Sequence, residues 1–508
     1  MTVSDLFDQV VAILSPERGL RRHYARQLLR RSNVYAAAKT NRLTGNWTTV
    51  SPNVNDIIGA SSPAVRARVR QLVRDFPYFA RAVNNLVDYT VGPGILYQSR
   101  VTNPDGTTDT KHVREIEDAW HWWCDEADAA GKLHYYEMMR LAKRQDVEVG
   151  EFLIVKTLIK DPSRYLPYAL QIYEADWLTT SHDTYTGAAG VDVTAGAGEK
   201  QVCQGVEYEK RTGRVTGYWF RDPHNSGREV RISADNVIHG FDTLRPQQMR
   251  GISPLAPGVL VAHDLSDYMD AEIDGAKFAA KYLAFVKKEN PAGMGYPGLE
   301  QTTEGTDKRI ENLENAIIEY LNPREDIVIA KHDRPGNTFD PFVRLILTML
   351  SITSGVPYEL LSGDYRGLNF STARIVRNDF QQQLRPIAAR HIRQYGMATF
   401  RTFLDWAVLT GKINLPGYIQ NPRRYLECEW QPPGMEAVDP LREAKGQIDA
   451  IAYGLKSPQE VARARGRDLE EIYREIKDAQ ELAKEYGLEF SQPGTALANN
   501  PAAIEQED

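Results

Sequence analysis

The residues best suited by type to do chemistry lie in one short run, Asp364-Tyr-Arg-Gly-Leu-Asn-Phe370, inside GVPYELLSGDYRGLNFSTAR (355–374). The run holds an acid (Asp364), a base (Arg366) and two aromatics (Tyr365, Phe370), with Gly363 and Gly367 to bend the chain. It joins two apolar, helix-like segments, and a loop of such mixed chemistry between helices commonly carries function. The question it raises is what it touches.

Elsewhere the constellations that chemistry needs are missing. A phosphate loop would read GxxxxGK[ST], but the Gly-Lys pairs at Gly131 and Gly411 run on into Leu and Ile. No HExxH, no GxSxG elbow and no metal-spaced histidine pair occurs. His121 and Cys124 sit three apart in AWHWWC but lack further ligands nearby, so that segment reads as an aromatic core helix. Glu475-Ile-Lys477 and Glu209-Lys210 are nuclease-like fragments of a kind that any charged helix or hairpin supplies by chance. No catalytic residue, cofactor or metal is expected.

The elements that position the loop follow from periodicity. Ser61, Ser62 and Pro63 read as an N-cap and first-turn proline, ahead of Val65, Val69, Leu72, Val73 and Phe76 at helical spacing. Arg66, Arg68, Arg70, Arg74 and Arg81 make that helix basic; the reading is a solvated face paired to acidic neighbours, with a nucleic-acid or partner face as the alternative. From Gly150 to about 245 the period changes to β-branched and aromatic runs, with a hairpin turn at Arg211–Arg214 and a Gly/Ala-rich surface loop at 187–199. After Gly251, with Ser253 as cap and Pro254 in the first turn, Leu265, Met269, Ile273, Ala276, Ala280 and Leu283 form one stripe on a helix of about thirty residues, roughly 45 Å long. Acids crowd its first half and Lys277, Lys281, Lys287 and Lys288 its second, as a helix dipole favours.

Residues 289–337 read as polar and Pro/Gly-rich around a short helix near Ile310–Leu321 and a strand at 326–330. The apolar helix FVRLILTMLSIT and the opening loop come next, and Ser371 is expected to cap a long helix kinked at Pro386 and stopped by Gly411. Further amphipathic helices follow, one through Leu441, Ala444, Ile448, Ile451 and Leu455, one beginning at a capping box in Ser457–Glu460, and one from Leu469 to Tyr486; disorder is expected from 491.

At 508 residues the chain should hold two to four domains. Its net charge of −7 argues against gripping nucleic acid by neutralising many phosphates, though not against letting it slide past. Cys124, Cys203 and Cys428 form neither a CxxC pair nor a disulfide framework, which suits a reducing, cytoplasmic setting. Asp5 and Asp8 stand where a signal peptide would be basic, so no secretion is expected. Charges interrupt 254–286, and 342–353 is too short to span a bilayer, so no membrane is expected.

RVRQLVRDFPYFARAVNNLVDYTVGPGI, GVEYEKRTGRVTGYWF, IHGFDTLRPQQMRGISPLAP, the loop segment above and VDPLREAKGQIDAIAYGLKSPQEVARARGRDLEEI occur in the order seen in the lambda-type phage portal protein family. The chain resembles that family over roughly residues 30 to 490, departing at Arg324, where a glycine is expected, and at Phe370, where tyrosine is usual.

The resemblance implies a predominantly helical α+β fold of several domains, assembled as a ring, usually of twelve subunits, at one capsid vertex. Residues 1–250 would form the wing, 251–288 and 338–356 the two stem helices, and 289–337 the clip. The tunnel loop would be 357–371, the wing helix and return 372–434, the crown 435–490 and the disordered tail 491–508. Double-stranded DNA would be packaged and ejected through the channel. It would meet Asp364, Tyr365, Arg366, Leu368, Asn369 and Phe370 in the tunnel loop and the candidate channel lysines Lys277, Lys281, Lys287 and Lys288 in the stem. Terminase and head-completion or adaptor proteins would dock at the clip and the major capsid protein would surround the ring, in the host cytoplasm during assembly and in the virion afterwards. The rivals are another capsid or scaffolding protein, told apart by shells rather than rings in electron micrographs, and a packaging nuclease or ATPase, told apart by an ATPase assay.

Overall fold

The computed structural model describes residues 17, 50–184, 190–192, 194–222, 227–281, 285–286, 319–320, 339–434, 440–464, 467 and 469–487. The chain divides into two units, Met1–Asn53 and Val54–Asp508.

Helix α1 (Val54–Asp75) begins nine residues before Pro63, which therefore lies inside it rather than in its first turn. Tertiary anchoring outweighs the missing proline N–H: Val54 and Ile58 are buried, the Asn55 amide donates to Gln247 O (3.0 Å), and its carbonyl oxygen accepts from Met249 N (2.9 Å). Helix α2 (Pro77–Thr90) follows, started by Pro77 and ended at the expected VGPG turn. Strand β1 (Leu96–Ser99) then leads into α3 (Thr110–Asp125), whose Trp120, Trp123 and Cys124 are buried while His121 and Trp122 face solvent. Trp123 donates to Tyr168 O (2.9 Å) and stacks on the Tyr168 ring, so its one polar atom is satisfied inside the core.

Helix α4 (Tyr135–Glu148) packs beside strands β2 (Glu151–Leu158) and β3 (Tyr168–Tyr173). A second sheet follows from β4 (Lys200–Cys203), β5 (Val206–Glu209), β6 (Val215–Arg221) and β7 (Glu229–Ser233), antiparallel in chain order. The expected turn joins β5 to β6, with Gly213 at φ 72°. Strand β8 (Val237–Phe241) returns to pair with β2, giving the antiparallel order β3-β2-β8. Val206, Tyr218 and Phe220 of the second sheet and Leu153, Val155 and Val237 of the first share one buried cluster. Of the expected surface loop, residues 187–189 and 193 lie outside the described residues.

Helix α5 (Val259–Lys281) has 23 residues, shorter than expected, after a single 3-10 turn at Ala256–Gly258. Ser253 Oγ accepts from Leu255 N (3.2 Å) in a local turn and donates to Val147 O (2.8 Å) of α4, so Ser253 anchors the approach to α5 rather than capping it as expected, with Leu255 at the N-cap of the 3-10 turn. Two short strands, β9 (Phe285–Val286) and β10 (Glu319–Tyr320), pair in parallel; Glu319 and Tyr320 are thus strand where a helix was expected. The expected strand at 326–330 and the tail 491–508 lie outside the described residues.

Helix α6 (Phe339–Ser354) runs antiparallel to α5: Gly258 lies against Leu350 and Thr353, whereas Tyr268, further along α5, meets the rings of Phe339 and Phe342 near the start of α6. Both helices join α1 and α2 in one buried cluster that also receives α7 (Tyr358–Ser362) and α8 (Phe370–His391). Helix α8 contains Pro386, as expected, and is followed by a π-helical turn at Ile392–Gly396 before α9 (Met397–Leu409). Gly396 there lies against the Trp430 ring, where a side chain would be crowded. The expected stop at Gly411 is present, with φ 72°. Helix α10 (Pro422–Tyr425) and strand β11 (Cys428–Gln431), paired antiparallel with β1, close the aromatic core. Helices α11 (Pro440–Ala452), α12 (Pro458–Ala464) and α13 (Leu469–Glu485) end the described chain, and Glu460 N donates to Ser457 Oγ (3.1 Å) as the capping box requires.

Candidate functional site

The loop is built from both sides by left-handed glycines. Helix α6 ends at Gly355 (φ 72°), and α7 ends at Gly363 (φ 73°), whose N–H closes on Glu359 O. Helix α2 pins α7 from outside: the Arg81 Nε–H and the Asn85 amide both donate to Leu360 O (2.6 and 3.1 Å), while Leu361 is buried. A tight turn follows, closed by Leu368 N on Tyr365 O with Gly367 at φ 80°. Asn369 then caps α8 through Thr372 N (2.8 Å), so the expected cap at Ser371 moves two residues earlier and Phe370 opens the helix.

Within the loop the side chains divide. Tyr365, Arg366, Asn369 and Phe370 are exposed and Leu368 is half-buried. Asp364 is turned inward, only 14% exposed, against 72% for Arg366. Its carboxylate accepts from Arg366 Nε (2.8 Å), Arg366 Nη2 (2.9 Å) and Arg366 N (3.1 Å), and also from Arg344 Nη2 (2.8 Å) on α6. The Arg366 side-chain bonds, then its backbone N–H and the Arg344 charge, hold the Asp364 carboxyl well below the usual range, and Asp364 in turn pushes the Arg366 guanidinium up. Asp340, a turn before Arg344, lies 3.4 Å from Arg344 Nε and 3.7 Å from Arg366 Nη2. The loop is therefore tied electrostatically to the start of α6.

Of the candidate lysines, Lys277 is exposed and pairs with Asp274 at 3.0 Å, one turn back on α5. Lys287, Lys288 and the side chain of Lys281 lie outside the described residues, as does most of 289–337. The arginines of α1 are largely committed within the chain: Arg70 meets Asp176 (2.8 Å) and Glu174 (3.5 Å), Arg66 lies 3.6 Å from Asp176, and Arg74 pairs with Asp75. That is the ion-paired reading of the basic face. Among the described residues no group of three His, Cys, Asp or Glu could hold a metal, and no helix is long and apolar enough to cross a membrane.

Sequence reasoning missed the junction that carries α5. Arg250 donates to both Glu151 oxygens (2.5 to 3.0 Å), to Gln204 O (2.8 Å) and to Ala175 O (3.1 Å). Glu151 also meets His239 Nε2 (3.0 Å) and Gly251 N (2.9 Å). Burial opposes ionisation, but Arg250 and His239 outweigh it and hold the Glu151 carboxyl far below its ordinary value. A Cβ on Gly150 (φ 96°) would sit 2.0 Å from the Ile252 carbonyl carbon, and one on Gly251 would sit 2.0 Å from Gly150 O. Only glycines permit this approach. The available signal was a charge beside a glycine at both positions, Gly150-Glu151 and Arg250-Gly251.

Residues 40–387 match the model of the phage portal protein, lambda family. The chain is 25% identical over 499 residues to the "Probable portal protein" of Halomonas phage phiHAP-1, covering 94% of this chain and 92% of that one. It is 21% identical to portal protein B of Escherichia phage lambda (86% and 87% covered) and 22% identical to the portal protein of Escherichia phage N15 (82% and 83%). Among solved structures, the neck of an empty gene transfer agent particle aligns over 79% of this chain and 93% of that chain, with 16% identity and a TM-score of 0.41.

Proposed function

Because this chain belongs to the lambda family of phage portal proteins, we propose that copies of it close into a ring, of twelve subunits as is usual in the family, through which double-stranded DNA passes into and out of the capsid. The observation that carries this reading is an apolar face that stays largely exposed among the described residues. Phe342, Leu345, Met349 and Ile352 recur on α6 at steps of three, four and three, all exposed. On α11 and just beyond it, Leu441, Ile448 and Leu455 recur every seven residues, again exposed. Apolar stripes of this kind mark surfaces made for another protein, and a head-to-tail contact between identical copies that closes makes a ring.

In that ring α5 and α6 form the stem. The loop at 357–371, which includes α7, follows the end of α6 and faces the bore with Asp364, Tyr365, Arg366, Leu368, Asn369 and Phe370, while Lys277, Lys281, Lys287 and Lys288 steer the polyanion along the stem. The segment 289–337, inserted between two helices that already pack together, docks terminase and head-completion proteins, and α11 to α13 form the crown. The protein acts as a conduit without catalysis of its own, in the host cytoplasm during assembly and at the capsid vertex in the virion. A negative protein suits a conduit, since a strongly basic bore would bind its cargo.

Light scattering and electron microscopy of the purified chain test the reading. Rings are expected, and Leu345→Glu with Ile352→Glu should yield folded monomers of unchanged helix content. A wild-type chain that remains monomeric at micromolar concentration, or forms shells, would overturn it.

A further inference from the structure

The charges at the loop cancel in a particular arrangement. Asp340 and Arg344 on α6 face Asp364 and Arg366 in the loop, two acids against two bases, with the better-shielded carboxylate of Asp364 inside and the guanidinium of Arg366 outside. Arg366 spends Nε and Nη2 on Asp364, while its Nη1 takes part in none of these bonds. The neighbouring elements leave this balance in place: α2 adds the positive charge of Arg81, whose Nε donates to Leu360 O, and α7 adds the negative charge of Glu359.

We propose that Arg344 and Arg366 are a phosphodiester-contacting pair that Asp340 and Asp364 keep neutralised, so that the loop touches DNA without retaining it. The inference rests on reading the loop as facing DNA and adds how its affinity is held down. A guanidinium fork fits a phosphate as it fits a carboxylate, so a passing phosphodiester can take the place of an aspartate oxygen. The displaced carboxylate stays within a few ångströms and repels the newcomer, which makes the contact self-limiting. Gly363 and Gly367 bracket the exchange, so Asp364 and Arg366 can part while the helices stay where they are. An arginine loop without these acids would instead hold the polyanion, with the effect repeated in every subunit.

The test is binding of a short fluorescein-labelled DNA duplex to the full-length protein, read by anisotropy across a salt series. Asp364→Asn keeps the shape and removes the charge. Affinity at low salt should rise by about tenfold, and the plot of log K against log salt should steepen by about one for each arginine unmasked. Asp340→Asn should give a smaller gain of the same sign, because its contacts are longer, and adding Arg366→Gln to Asp364→Asn should cancel most of the gain. Unchanged affinity in both asparagine variants with an unchanged thermal midpoint overturns the proposal, as does a gain that survives Arg344→Gln and Arg366→Gln together. Should Asp364→Asn fail to fold, Asp340→Asn decides alone. Binding is read whatever the oligomeric state and ring formation separately by light scattering. Rings with unaltered affinity therefore sink only the neutralised pair, and monomers that show the gain sink only the ring.

Discussion

Two arginine–carboxylate clusters in this chain use the same chemistry to opposite ends. At the junction before α5, Glu151 and Arg250 are wholly buried, the remaining hydrogen bonds of the pair go to backbone or to His239, and the buried Arg66 lies 3.9 Å from Glu151. At the loop, Asp364 and Arg366 make an equally good bidentate pair, but Arg366 and Asp340 stand in water and Arg344 is half-buried. Burial turns an ion pair into a constraint, because removing either partner strands a charge in a medium that cannot solvate it. Exposure turns it into a contact that another anion can replace, because water and salt screen whatever is lost. The first cluster holds the sheets and α5 in one geometry. The second can exchange partners without disturbing the fold.

The largest effect should come from breaking the buried cluster. Glu151→Gln leaves Arg250 without its counter-charge and should cost about 3–5 kcal/mol, read as a lower denaturant midpoint. Gly150→Ala should be of similar severity for a different reason, since its Cβ would meet backbone atoms that cannot move aside. By contrast Asp364→Asn should leave the denaturant midpoint nearly unchanged. If the two asparagine or glutamine variants prove equally destabilising, the distinction between the clusters fails.

Acid sharpens the comparison at an intermediate scale. The Glu151 carboxyl lies below its unfolded value, so its contribution is complete above the ordinary carboxylate range and fades as pH falls through the lower folded value. His391 acts earlier. Burial, with Lys143 beside it, lowers its imidazole to about 3, and its Nε2–H donates to Met139 O (3.1 Å). The unfolded chain takes up that proton first, so stability should fall as pH drops from about 6.5 toward 3, by up to ~1.4 kcal/mol per pH unit. His391→Gln, which keeps a donor, should flatten that slope in pH-dependent denaturation; a slope left intact would locate the acid sensitivity elsewhere. The smallest effect is expected from salt: raising it should leave the unfolding free energy of the junction nearly constant while weakening the loop pairs, seen as faster hydrogen exchange at Arg366 N–H.

Much of the fold was legible because periodic stripes survive into packing. Of the expected α5 stripe, Leu265 and Met269 pack into the core while Ile273 and Ala276 are exposed, and the apolar α6, the β5–β6 hairpin and the Ser457 cap stand where periodicity and turn chemistry put them. The family, too, was legible in the order of five segments. The misses share one cause. Pro63 lies inside α1 rather than in its first turn because neighbouring elements hold the backbone helical despite an absent donor. Ser371 lost the cap to Asn369 because the turn at Gly367 sets where α8 begins.

The loop's residue types, its bracketing glycines and its place between two apolar helices were all determined by the sequence, since each is a matter of local composition. That Asp364 turns inward to Arg344, twenty positions back and on another helix, was decided only by the antiparallel packing that brings the start of α6 beside the end of α7. The same holds for Glu151 and Arg250, ninety-nine residues apart. A charge in the sequence carries its sign but not its partner or its dielectric, and those two quantities, which separate a constraint from an exchangeable contact, exist only once the chain has folded.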